Sequence, residues 1–305
     1  MSEKTTQKRP VRGSAVVGIV IWSLVFCLLG LILLGSVTGI HTEIDVFGLP
    51  GVHLNLGGFT YKDADEYAVG DASISDTVSD LEINWLEGSI AIIPSDTDEI
   101  CITEKYGGDD SDLRLRWRVK NGKLTIQFRK STFFGTSRSV RKDLTVAIPA
   151  VMLEAMGEVE ITTVSGGISF TGNADELTLD AVNGDLTVSG DIGELEIHAV
   201  EGKVTFTGGV RDADVSCVAA TAVMRLDMAT DLSFEQVDGD VELYLSEEIT
   251  GFSVKMDSLK TEINAEDFED MHYLDDGSAK WGDGSLRISM DGLKSKLKIK
   301  KLTND

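Results

Sequence analysis

Between Leu113 and Lys142 the chain carries ten lysines and arginines and no acidic residue. The stretch from Arg114 to Lys120 alternates Arg114, Arg116, Arg118 and Lys120 with Leu115, Trp117 and Val119, so strand geometry puts the four cations on one face. The connection that follows, STFFGTSRS, presents Phe133 and Phe134 beside Arg138. Guanidinium groups in a row next to aromatic rings suit recognition of an anionic wall polymer or a partner protein. Arg114, Arg116, Arg118, Phe133, Phe134 and Arg138 are therefore the candidate binding residues. The competing reading is that this basic face neutralises acidic surface of the same molecule.

The other chemistry-bearing residues do not assemble into a reaction centre. His41, His53, His198 and His272 are scattered, with no HExxH, no Cys/His metal spacing and no G-x-S-x-G elbow, so no catalytic residue, metal site or cofactor is expected. His198 is read as a surface histidine on the solvated side of a strand. Asp185 and Asp240 follow glycines and are read as turn residues, because the G-G-x-G-x-D rule of calcium-binding repeats is missing. Cys27 lies in an apolar run, which leaves Cys101 and Cys217 as free buried thiols or as one bridge.

Charge narrows the partners further. There are 28 basic and 51 acidic residues; the first fourteen positions take four of the former and one of the latter, leaving 24 − 50 = −26 beyond them. Such a surface repels nucleic acid and anionic lipid.

The elements that position these residues begin with a membrane span. Ala15 to Leu34 carries no charge, and apolar character runs on to Ile40. A helix of that length, about 20 residues at ~1.5 Å each, crosses a hydrocarbon core of about 30 Å. Lys4, Lys8, Arg9 and Arg12 precede it and Glu43 and Asp45 follow, so the positive-inside bias puts the N-terminus in the cytoplasm and the rest outside. A cleaved signal peptide is the rival, but the run is too long and no A-x-A site follows.

Beyond the span the chain repeats. Around an anchor such as Val182, apolar residues fall five and three positions before and four and six after: Leu177, Leu179, Leu186 and Val188. The same five-position template fits around Leu86, Val164, Val200, Val218, Val237, Leu259 and Leu293. Glycine stands two past the anchor at Gly88, Gly166, Gly184, Gly202 and Gly239, where a tight corner needs no Cβ. Period-two apolar runs separated by corners, evenly spaced from Val164 through Val182 and Val200 to Val218, predict an all-β fold: a β-solenoid of stacked coils, with Thr178, Asp180, Thr187 and Ser189 on its solvated faces. Leu113 to Phe128, turning at Asn121-Gly122, predicts an antiparallel hairpin inserted near the N-terminal end. The final KSKLKIKK, Lys294 to Lys301, reads as a charged edge strand that discourages pairing with another chain.

The succession DADEYAVGDASIS, INWLEGSIAI and KDLTVAIP, followed by V-x-G-D-like coils and a closing GDGSLRI, resembles the bacterial β-strand-repeat family described as putative adhesins, over roughly residues 60 to 300. The single N-terminal anchor is similar to that of its Gram-positive members. The family's name implies adhesion. Two coils depart from its pattern, where Val218 is followed by Ala-Ala-Thr and Leu259 by Lys-Thr-Glu.

The expected organisation is a cytoplasmic tail (1–14), a transmembrane helix (15–40), a membrane-proximal linker (41–75) and an extracytoplasmic solenoid (76–305) containing the basic hairpin and loop (113–142). Three functions fit it. The first is a membrane-anchored adhesin or envelope-binding scaffold, with wall polymer or envelope proteins as partners. The second is an accessory sensor in envelope-stress signalling. The third is a carbohydrate-active β-helix enzyme, which would need a shared column of carboxylates and a base that the repeats do not display.

Overall fold

The computed structural model describes residues 43–45, 52–55, 58–132, 140–258, 261–273 and 278–303. The expected tail and transmembrane helix, and Phe133, Phe134 and Arg138, lie outside the described residues. Among the described residues no helix is long and apolar enough to cross a membrane. The chain divides into two compact units, Met1–Lys62 with Ser131–Ser137, and Asp63–Lys130 with Arg138–Asp305. In the first, Glu43–Asp45, Val52–Asn55 and Gly58–Tyr61 form a three-stranded antiparallel sheet within the stretch expected to be a linker.

The second unit is a parallel β-solenoid. Leu177 pairs with Leu195, Leu179 with Ile197, Leu186 with Val204 and Val188 with Phe206, each residue stacking on its counterpart in the next coil. Parallel pairing at a constant offset makes the ladder a stack of coils, although its pairings link all its strands into one closed circuit. Each coil has two straight sides. The inward residues of both sides, for example Leu177, Leu179, Leu186 and Val188, are at most 1% exposed. Burying each such side chain contributes roughly 1.5–3 kcal/mol, and the coils above and below supply the contacts.

Glycine at the first corner has a steric cause. Gly184 has φ 152°, and a Cβ there would collide with the carbonyl oxygen of Gly166 in the coil before it. Gly166 stands in the same relation to Gly88. The backbones of neighbouring coils meet at this corner with no room for a side chain.

The register differs from the expected template at one of its five positions. The anchors face outward: Val164 and Leu293 are 36% and 55% exposed, and Val182 and Val200 are half-buried. Strict alternation carries the inward side to the residue before the anchor, where Trp85, Thr163, Ala181, Ala199, Cys217 and Gln236 are buried. Asp180, expected in solvent, is 4% exposed because residues of the coils on both sides crowd its column.

Both ends of the stack also depart from chain order. The hairpin forms as expected, Arg116–Lys120 against Lys123–Gln127, with positive φ at Asn121 and Gly122. It is not an insertion, however. Its second strand pairs in parallel with Asp80–Glu87, and Asp143–Pro149 pairs in parallel with Ile90–Ser95, so the two make a further coil beneath the Leu81 coil. At the other end Leu286–Lys301 lies between two coils, pairing Ile288 with both Leu232 and Val254. KSKLKIKK is therefore an interior strand: Leu297 pairs with Val241 on one side and Ile263 on the other. Its lysines serve cross-strand ion pairs, Lys298 with Glu242 at 3.4 Å and Lys296 with Glu262 at 3.9 Å. The Val254 coil is terminal, and Phe252, Phe268 and Trp281 cluster over it with centroids 4.8–5.7 Å apart.

Candidate functional site

Arg114, Arg116 and Arg118 sit at the N-terminal end of the solenoid, and each has a partner within its unit. Arg114 reaches Asp71 at 3.1 Å and pairs with Glu104. Arg118 pairs with Glu66 at 2.7 Å and stacks over Tyr67 at 4.6 Å, while Lys120 shares Glu66 at 3.1 Å. Arg116 is buried and donates to the carbonyl of Ser111 at 2.9 Å. Short strands Ala68–Val69 and Ala72–Ile74, paired antiparallel to Arg116–Lys120 and Ile100–Lys105, bring the acidic partners alongside. The basic run thus lies against an acidic segment of its own unit.

Beneath it is a buried ionic knot that the sequence reading missed. Lys142 and Glu104 have no exposed side-chain surface and pair at 2.9 Å. The Lys142 ammonium also donates to the carbonyls of Leu113, at 2.7 Å, and Phe128, and lies 4.0 Å from the centre of the Phe128 ring. Glu104 accepts the Leu115 amide at 3.1 Å, and Trp85 Nε1 donates to the Lys142 carbonyl at 2.9 Å. Burial pushes the lysine pKa down to about 8, against the pull of Glu104. Every charge is hydrogen-bonded, which is what allows an ammonium to stay in an aromatic interior. The sequence signal was faint: one lysine opening KDLTVAIP, with its carboxylate far upstream on another strand.

Along the outer face of the first side runs a carboxylate-rich surface. Asp180 and His198, register partners in adjacent coils, approach to 2.9 Å, and Glu196 lies 3.3 Å from the other ring nitrogen. The hydrogen bond to Asp180 raises the histidine pKa. Burial, with Glu82 nearby, raises Glu160 to about 7, and burial raises Asp214 and Glu235. A cavity of about 270 Å³ on this face is lined by Glu194, Glu196, Asp212, Asp214 and Asp231 among others. Among the described residues no group of three or more His, Cys, Asp or Glu is placed to hold a metal ion. Asp185 accepts the Lys203 amide at 3.0 Å, a corner contact in keeping with a turn role. Cys101 and Cys217 are free thiols, and only Cys217 is fully buried.

Two outcomes follow from this electrostatic layout. Raised pKa values at Glu160 and His198 mean that the folded state binds protons more tightly than the unfolded chain. Their contribution to stability is present in full below the unfolded values, about 4.5 for the acid and 6.5 for the histidine, and is lost as pH rises through the folded ones. Thermal melts should thus show stability falling as pH rises from about 5 through about 7, with a shallower fall in Glu160→Gln. The second outcome concerns the basic strand. Replacing Arg114, Arg116 and Arg118 together by Glu adds six negative units and should lower the melting temperature by roughly 5 °C or more, most at low salt. Unchanged melting with lost binding of an anionic polymer would assign these arginines to a ligand.

The geometry defines a class: a parallel β-solenoid capped at both ends by antiparallel strands. Residues 78–217 match the model of the family described as Toastrack DUF4097. The parallel ladder continues beyond it to Lys301. Among solved structures the chain is similar to a putative adhesin from Bacteroides fragilis NCTC 9343 (14% identity, 77% of this chain and 97% of that one, TM-score 0.42). It is also similar to a putative cell adhesion protein from Clostridium sporogenes ATCC 15579 (14%, 77% and 100%, 0.30). A third is a putative adhesin from Parabacteroides distasonis ATCC 8503 (12%, 77% and 97%, 0.39). No curated protein matches the chain.

Proposed function

We propose that this protein is a membrane-anchored, extracytoplasmic scaffold of adhesin type, binding a component of the cell envelope without catalysing a reaction. The observation that carries the reading is the constant offset of the stack. It places the same outward position of successive coils in a row, as in Glu160, Thr178 and Glu196 or Ser169, Thr187 and Thr205, so the described coils present extended rows. Anchoring rests on the uncharged run from Ala15 to Leu34 and the basic residues before it. The test is fractionation with binding. The full chain should sediment with membranes, lose its C-terminal region when intact cells are treated with protease, and be retained on isolated envelopes. A soluble mature form beginning near Thr42, or absence of retention, would reject the reading.

A further inference from the structure

Resting on that reading, we infer that the outer face of the solenoid's second side is a docking strip for an uncharged, polyhydroxylated polysaccharide.

The argument begins with what this face lacks. In five successive coils its two outward columns hold Thr145 and Ala147, Ala91 and Ile93, Ser169 and Thr171, Thr187 and Ser189, Thr205 and Thr207. None is charged, in a chain of net charge −23. The first side of the same coils carries Glu82, Glu160, Asp180, Glu196 and His198 on its outer surface. The strip ends where the next coil brings Arg225, followed by Glu242 and then by Lys298 and Lys300.

What the face presents is ordered. Ser169, Thr187 and Thr205 stack in register, as do Thr171, Ser189 and Thr207. Hydroxyls thus recur every ~4.8 Å along the stack and every ~6.6 Å along each strand. The residues between them, Ile168 and Phe170, Leu186 and Val188, Val204 and Phe206, are at most 1% exposed, so the core holds the rows in place. Thr187, Ser189 and Thr207 are exposed and Ser169, Thr171 and Thr205 half-buried, and each hydroxyl can both donate and accept.

Charge selects the occupant. An anionic polymer is repelled by the surrounding surface, and a second copy brings another −23. A neutral glycan incurs neither cost. Its hydroxyls match rows of donors and acceptors, and the Thr methyls with Ala91 and Ile93 offer apolar contact for its ring faces.

The test uses the full chain in detergent, co-sedimented with insoluble chitin and cellulose and, separately, with isolated envelopes. Retention on at least one of the two polymers, unchanged at high salt, is expected. Thr187→Val with Thr205→Val keeps the shape and removes two hydroxyls, which should weaken retention about 10- to 30-fold at unchanged melting temperature. Thr178→Val, on the opposite side, should have no effect. Absence of retention on both polymers, or equal retention by the double variant, overturns the strip. Retention on envelopes that survives the double variant overturns the strip and leaves the scaffold reading standing, whereas no retention on envelopes removes both.

Discussion

Leu186→Asp should unfold the solenoid in one cooperative step, and Thr187→Asp should leave it folded. Leu186 is fully buried between Ile168 and Val204 in the most regular part of the stack. A carboxylate placed there has no cation or donor within the core and loses the leucine's packing as well, at a cost of several kcal/mol. That approaches the whole net stability of an ordinary domain. One residue along, Thr187 is exposed, and a single added charge on that face should shift the melting temperature little. Denaturant unfolding followed by circular dichroism separates the two. Similar losses at both positions would mean that the faces are misassigned.

The second large effect is expected at the ionic knot. Lys142→Met removes the fully buried cation of Glu104, leaving the half-buried Arg114 as an ion-pair partner, and also removes the donor to the Leu113 and Phe128 carbonyls. Breaking a buried pair from one side typically costs about 3–5 kcal/mol. Adding Glu104→Gln to that variant removes the buried carboxylate charge that has lost one of its two cations while keeping an acceptor for the Leu115 amide, so the double variant should recover part of the loss. The non-additivity is the signature of the pair. Equal or additive losses in the double variant would show that Lys142 and Glu104 act independently.

These two sites differ in how far the sequence disclosed them. Leu186 was legible because the apolar period and the corner glycines recur together, and four of the five template columns face inward through the regular coils. The anchor column misled for a physical reason. Valine is favoured in strands on either face, so Val182 and Val200 signal β-structure without signalling burial. The inward position beside them is filled by types as different as Trp85, Thr163, Cys217 and Gln236, which breaks the visible alternation.

Long-range order was less legible still. The widening spacing of the last anchors, Val237, Leu259 and Leu293, shows that coils exist without showing which stacks on which. The lysine alternation in KSKLKIKK suits an edge strand as well as an interior strand flanked by Glu242 and Glu262. The N-terminal coil was hidden because its halves, Lys123–Gln127 and Asp143–Pro149, are separated in sequence by residues 128–142. At the candidate site the sequence displayed the ten cations. It did not display their partners, since Glu66, Asp71 and Glu104 come from segments that only the end cap brings alongside.

The stacking order underlies both the rows of the proposed surface and the sealed ends, and disulfide trapping tests it most directly. In a Cys101→Ser background, Lys298→Cys combined with Glu242→Cys, and Lys298→Cys combined with Asn264→Cys, place thiols on register partners of adjacent coils. Their Cα separation of ~4.8 Å lies within the range a disulfide accepts. Glu242→Cys with Asn264→Cys spans two coil spacings, ~9.6 Å, and should not close. Mass spectrometry after mild oxidation should therefore find bridges in the first two pairs and free thiols in the third. A bridge between positions 242 and 264, with none to 298, would mean that the coils stack in simple chain order and would contradict the account.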